Sequence, residues 1–155
     1  MKGDPEIITA LNEILTAELT AINQYYIHYK MCENWGYKKL AEMKKAEAME
    51  EMKDADKVID RILYLDGIPN MQRLNPVRVG ENAVEQHELD LELEKNAVAR
   101  LNKAIALCRD RGDNGTRELL VDILEGEEHA IDLLEAQLHI IGEIGKERYL
   151  AEHIH

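Results

Sequence analysis

Three long stretches of this chain repeat residues at alternating intervals of four and three, the spacing that keeps one stripe of an α-helix turned towards neighbouring helices. The first runs through Leu11, Leu15, Glu18, Ile22, Tyr25, Tyr29 and Cys32. Another takes in Val84, His87, Leu91, Glu94, Val98, Leu101, Ile105 and Cys108, and the last Leu120, Ile123, Glu127, Ala130, Leu134, Gln137, Ile141 and Ile144. Between them a less regular stretch puts Glu51, Asp54, Val58, Ile62 and Leu65 on one face. Four such helices can only hide their stripes against one another, which predicts an all-α antiparallel four-helix bundle.

The breakers place the ends. Asp4-Pro5 opens the first helix, Gly36 interrupts the pattern, and the second helix runs to about Leu65. The segment from Asp66 to Glu81 holds Gly67, Pro69, Pro76 and Gly80. It reads as a crossover between helices 2 and 3 long enough to traverse the bundle, so those two need not be antiparallel neighbours and an up-down-down-up order is open to the chain. Arg111 to Gly115 is a turn, with Thr116 the expected N-cap of the fourth helix. Gly142 and Gly145 mark that helix's end, and Lys146 to His155 leaves room for a short fifth helix. A single domain over 1–155 follows from the length.

Composition narrows the function classes. The net charge of -12 disfavours nucleic acid, whose phosphates call for Lys and Arg, and is compatible with attracting cations. No apolar run of about 18 residues exists to span a membrane. The start, MKGDPEIITALNEIL, lacks a signal-peptide core, and the two cysteines, Cys32 and Cys108, are too few for a disulfide framework. A cytoplasmic location with reduced thiols is the simplest expectation.

Each stripe is broken once by a glutamate: Glu18, Glu51, Glu94 and Glu127. A buried, ionised carboxylate is costly unless paired or bound to metal, and converging like charges need a cation between them. Carboxylates without thiolates argue against structural zinc. Single glutamates on two helices and a Glu-x-x-His pair on the other two form the di-iron arrangement of bundle proteins. Here Glu18 and Glu94 fill the single places, while Glu51 and Glu127 head the two pairs.

The opening MKGDPEII, the stretch AELTAINQYYIHYKMCENWGYKKL, the segment EEMKDADKVIDRILYLDGIPN and the block EGEEHAIDLLE resemble the bacterioferritins of the ferritin-like superfamily, from Met1 to about Ala151. The resemblance implies a hollow 24-subunit shell storing iron as ferric mineral, with ferrous iron oxidised at a di-iron ferroxidase centre inside each bundle. It implies haem b between subunit pairs, with Met52 as the axial ligand. Successive helical residues point about 100° apart, so Glu51 can face the core while Met52 faces a partner. An electron-donor protein is a further expected partner, and Tyr25, on the first stripe near Glu18, either packs there or bonds a ligand carboxylate or donates an electron during oxidation. The residues just before Glu47 correspond to a region that passes iron between centre and cavity, where Lys44 and Lys45 would disfavour it.

The departures are specific. The His expected three residues after Glu51 is Asp54, and the one expected after Glu127 is Ala130. Asp54 can still ligate through oxygen; Ala130 cannot ligate at all. The expected metal set is therefore Glu18, Glu51, Asp54, Glu94 and Glu127, an incomplete ferroxidase centre. His129 reaches inward only through a π-bulge, and His87 stands two turns from Glu94, as a satisfied core histidine would. Three functions follow: a storage subunit with an impaired centre, shell-forming with a second subunit type that carries a complete one; an active ferroxidase using only carboxylates; or a structural, haem-carrying bundle with no metal between its helices.

Overall fold

The computed structural model describes residues 1–155. Helix α1 is Pro5–Trp35, α2 Lys38–Tyr64, α3 Ala83–Asp110, α4 Asn114–Ile144 and α5 Lys146–Ala151. None is long and apolar enough to cross a membrane. The expected four-helix bundle, its long crossover and its short fifth helix are all present.

The helix ends obey local chemistry. The Asp4 carboxylate accepts from the Glu6 N–H and Pro5 fills N1, where its missing N–H costs nothing. Gly36 ends α1 at φ 88, a left-handed conformation that any Cβ would strain. The start of α4 corrects the expected cap: Asp113 is the N-cap, and its carboxylate accepts from both the N–H and the hydroxyl of Thr116. Asp113 wins because its carboxylate also accepts from Arg61 at 3.1 Å, tying the end of α2 to the start of α4.

Antiparallel α1/α2 and α3/α4 pairs lie side by side. Cross-bundle bonds from Cys32 to Gln86, His28 to Asp90 and Tyr25 to Glu94 show α3 descending as α1 rises. The order is therefore up-down-down-up. The crossover climbs α1 on a ladder of polar side chains. Asn12 bonds Ile68 O and Asn70 N–H, Thr20 accepts from Asn75 N–H, Gln24 from Arg78 N–H, and His28 Nε2 from Gly80 N–H. Backbone groups without a strand or helix partner are thus satisfied along its length. Gly80 is required where it is, because a Cβ there would stand 2.6 Å from the backbone N of Gln86.

Two stripes differ in register from the expected ones. On α2 the buried line is regular: Ala41, Lys44, Ala48, Glu51, Ala55, Val58, Ile62 and Leu65. Its alternation runs through alanines, and Asp54 lies at its edge, half-buried. On α3 the deep line keeps His87, Glu94, Leu101 and Cys108, but its other buried places belong to Ala83, Asp90 and Ala104. Val84, Leu91, Val98 and Ile105 are displaced to the half-buried flanks. Small side chains occupy the line of closest helix approach, and the larger ones pack beside it.

Apolar packing is concentrated at the ends. Ile7, Leu11, Leu15, Ile62, Leu101 and Leu120 belong to the large cluster at one end, and Cys32, Leu40 and Tyr149 to a small one at the other. Each fully buried Leu or Ile contributes about 1.5–3 kcal/mol relative to exposure. The middle of the bundle is polar.

Candidate metal centre

Glu18, Glu51 and Glu127 are buried at that middle, and with Asp54 each offers an oxygen such that all four lie within 4.8 Å of one another. Three of the four helices contribute: α1 gives Glu18, α2 gives Glu51 and Asp54, α4 gives Glu127. The fifth acid, Glu94 of α3, is buried beside them, and its Oε1 accepts from the Tyr25 hydroxyl at 2.7 Å. Two oxygens in this group, Glu18 Oε2 and Glu94 Oε2, are buried with no hydrogen-bond partner.

Electrostatics make the arrangement costly as it stands. Burial pushes Glu18 and Glu51 well above the usual carboxylate range, with the charges of neighbouring carboxylates adding to both, and it raises Glu94 although hydrogen bonds to Glu127, Tyr25 and Glu51 pull the other way. Glu127 is pushed far up for the same reason. Burial raises Asp54 to about 6, although Lys57 pulls the other way. Orphaned, desolvated acceptors facing each other are what a bound cation would satisfy, so the residues present fit a hard metal ion.

Two openings reach these acids. A cavity of about 280 Å³ on the α1/α3 side is lined by Glu18, Glu94 and the crossover's Asn75 and Arg78. On the α2/α4 side a groove lined by no hydrophobic residue exposes Glu47, Glu50, Asp54, Asp122 and Glu125 beside Glu51 and Glu127. Its walls also carry His129, which is exposed on a regular α-helix; no π-bulge turns it inward. Ala130 sits in the α4 stripe one turn after Glu127, 3% exposed, and presents only a methyl group.

One turn towards the start of α3, a second polar cluster was not foreseen. Lys44 is fully buried, and its ammonium donates to Asp90 Oδ2 at 2.7 Å and His87 Nδ1 at 2.8 Å. Lys44 is turned into the bundle interior, whereas Lys45 beside it is exposed. Because Lys44 donates to Nδ1, His87 carries its proton on Nε2 and donates to the Tyr149 hydroxyl, which donates to Gln137 Oε1. His87 is a satisfied core histidine, its pKa lowered to about 2 by burial and by Lys44. His28 accepts from Gly80 N–H at Nε2, so its Nδ1–H faces Asp90, as does the Gln24 amide. Burial would raise Asp90, but Lys44 and His28 outweigh it and hold the carboxyl at about 2. Four helices, α5 and the crossover meet here. The available sequence signal was Lys44 falling three residues after Ala41 and four before Ala48.

Met52 follows Glu51 yet points away from the centre: Glu51 is 3% exposed and Met52 49%. It lies on α2 with exposed Met49 one turn before it, and Tyr26 of α1 is exposed as well.

A ferritin-like domain model matches residues 8–144. The chain is 48% identical to the bacterioferritin of Mycobacterium leprae over 152 residues, 98% of this chain and 96% of that protein. It is 48% identical over 151 residues to the bacterioferritin of Streptomyces coelicolor, covering 97% and 90% of the two chains. With that of Brucella melitensis it shares 43% over 149 residues, covering 96% and 92%. An up-down-down-up bundle with carboxylates converging at its middle, matched over nearly its whole length at this identity, belongs to the bacterioferritin family of the ferritin-like superfamily.

Proposed function

We propose that this chain is an iron-storage subunit of a hollow, cytoplasmic 24-subunit shell, and that its own ferroxidase centre is impaired. The observation that carries the reading is the pairing of four converging carboxylate oxygens within 4.8 Å with a bare methyl group at Ala130. Glu18, Glu51, Asp54, Glu94 and Glu127 draw ferrous iron into the bundle, and Tyr25 holds Glu94. Oxidation by dioxygen consumes two ferrous ions and two protons per hydrogen peroxide formed, so its rate depends on two well-held ions. A second subunit type with a complete centre would supply that oxidation to a mixed shell.

Haem b between two subunits fits Met52, whose thioether is a competent axial ligand and which stands exposed with Met49 one turn before it. When bound, haem supplies an electron path to and from the stored mineral, with a donor protein outside. Adding about two ferrous ions per subunit to the pure protein in air, and following ferric absorbance, tests the reading. A slow, unsaturated rise supports it; a fast, saturating phase identifies the chain as an active all-carboxylate ferroxidase instead. Native mass spectrometry of shells from the source cells is expected to find a second subunit type.

A further inference from the structure

We propose that a cavity on the α1/α3 side, between Arg73 and Arg100, binds a free tetrahedral oxyanion of the phosphate class. The site is separate from the carboxylate centre and does not depend on metal entering the bundle.

The cavity holds about 180 Å³ and has no hydrophobic residue in its walls. Glu13 and Thr16 of α1, Arg73 and Asn75 of the crossover, and Arg100 of α3 line it. The backbone that carries Arg73 is fixed on both sides. Before it, Asn12 of α1 accepts from the N–H of Asn70, whose side-chain oxygen accepts in turn from the N–H of Arg73 at 3.2 Å. After it, Thr20 of α1 accepts from the N–H of Asn75 at 2.9 Å. Arg73 is thus set over the cavity by bonds to α1, and half-buried Arg100 meets it from α3.

Charge and donors both call for an anion. Like charges around one cavity repel unless an opposite charge lies between them. Arg78 nearby is satisfied by Glu92 at 2.7 Å, but Arg73 and Arg100 enter no ion pair, and Glu13 is paired with neither. Two guanidiniums against one carboxylate leave the cavity cationic in a chain of net charge -12. Thr16 spends its hydroxyl proton on Asn12 O, so the donors left are two guanidinium forks and the Asn75 amide. A planar fork matches two oxygens of phosphate or sulfate, whereas chloride offers it a single point. At roughly 30 Å³ per water, the space takes such an ion with part of its hydration shell. Walls without apolar surface give no grip to an organic group, which assigns the site to the free ion. Asn75 and Arg100 also line the larger cavity that reaches Glu18 and Glu94, so the ion adjoins that opening.

The assembled, iron-free protein is dialysed to equilibrium against radiolabelled inorganic phosphate at constant ionic strength. One saturable phosphate per subunit is expected, displaced by sulfate and not by equimolar chloride. Arg73→Gln and Arg100→Gln should each weaken binding about tenfold or more, since each removes a charge-assisted bond. Glu13→Gln removes the opposing carboxylate and should tighten binding about two- to fivefold, a gain that misfolding cannot mimic. No saturable binding in the unaltered protein would overturn the inference. So would binding that neither arginine variant weakens, and in both cases the iron-storage reading would stand. Tighter binding of glycerol phosphate than of inorganic phosphate would overturn the assignment to a free ion.

Discussion

Lys44→Met removes the charge at the second polar cluster while keeping most of the side-chain volume, and it should be among the most destabilising substitutions in the chain. Asp90 is fully buried, and without Lys44 it keeps only His28 and Gln24 as donors. Breaking a buried pair by removing one partner costs about 3–5 kcal/mol. Protonation sets a ceiling, since neutralising a carboxyl of ordinary pKa 3.8 at pH 7 costs about 4.4 kcal/mol at about 1.36 kcal/mol per pH unit. His87 Nδ1 also loses its donor, for about 1 kcal/mol more. Relief from burying the ammonium offsets part of this, leaving about 3 kcal/mol. For a subunit of this size that lowers the melting temperature by about 6–12 °C.

The pH dependence gives a sharper check. In the unaltered chain Asp90 is held at about 2, below its ordinary value, so its contribution is complete above about pH 4 and is lost only as the pH falls towards 2. In the variant only the His28 and Gln24 bonds oppose burial, and Asp90 is expected to rise. The folded state then favours the proton, and stability is lost as the pH rises. The gap between the two proteins should therefore widen from pH 5 to pH 8. Calorimetry at fixed protein concentration measures it, since assembly adds a concentration-dependent term. A gap under about 1 kcal/mol that does not change with pH would refute the electrostatic account.

Tyr25→Phe leaves both Glu94 oxygens unpartnered and should cost about 1–3 kcal/mol in the metal-free protein, seen as a lower melting temperature. Burial raises Asp54 to about 6 and Glu47 to about 7, above the ordinary 3.8 and 4.5. Raised carboxyls stabilise fully below about pH 4 and lose that contribution as the pH climbs through 6 to 7. The metal-free protein should thus melt higher at pH 5.5 than at pH 8, by on the order of 2 kcal/mol from these two groups after discounting for their partial exposure, and a bound cation should flatten the difference. A scan in which metal-free stability rose with pH over that range would contradict it. Gly80→Ala should loosen the crossover, read as faster amide exchange around residues 78–86, because the added methyl meets backbone rather than a yielding side chain.

The sequence by itself determined the bundle, because a stripe that recurs at four and three over so many turns has no other way to leave water. It also determined the acids at the centre, since Glu18, Glu51, Glu94 and Glu127 stand where apolar residues were due, and the missing imidazoles at Asp54 and Ala130. What it could not determine was which flank of α3 lies deepest. Size pointed to Leu91 and Ile105, whereas close helix approach selects Asp90 and Ala104, a property of the neighbouring helix surface rather than of the segment. Lys44 was legible only as a charge in an irregular stretch, because its stripe ran through alanines. Tertiary structure alone joined it to Asp90, 46 residues away, and a buried pair is defined by both members together. The same holds for the centre. Five carboxylates were readable in advance, but only their positions in space show four offering oxygens within 4.8 Å of one another and Tyr25 donating to the fifth, Glu94.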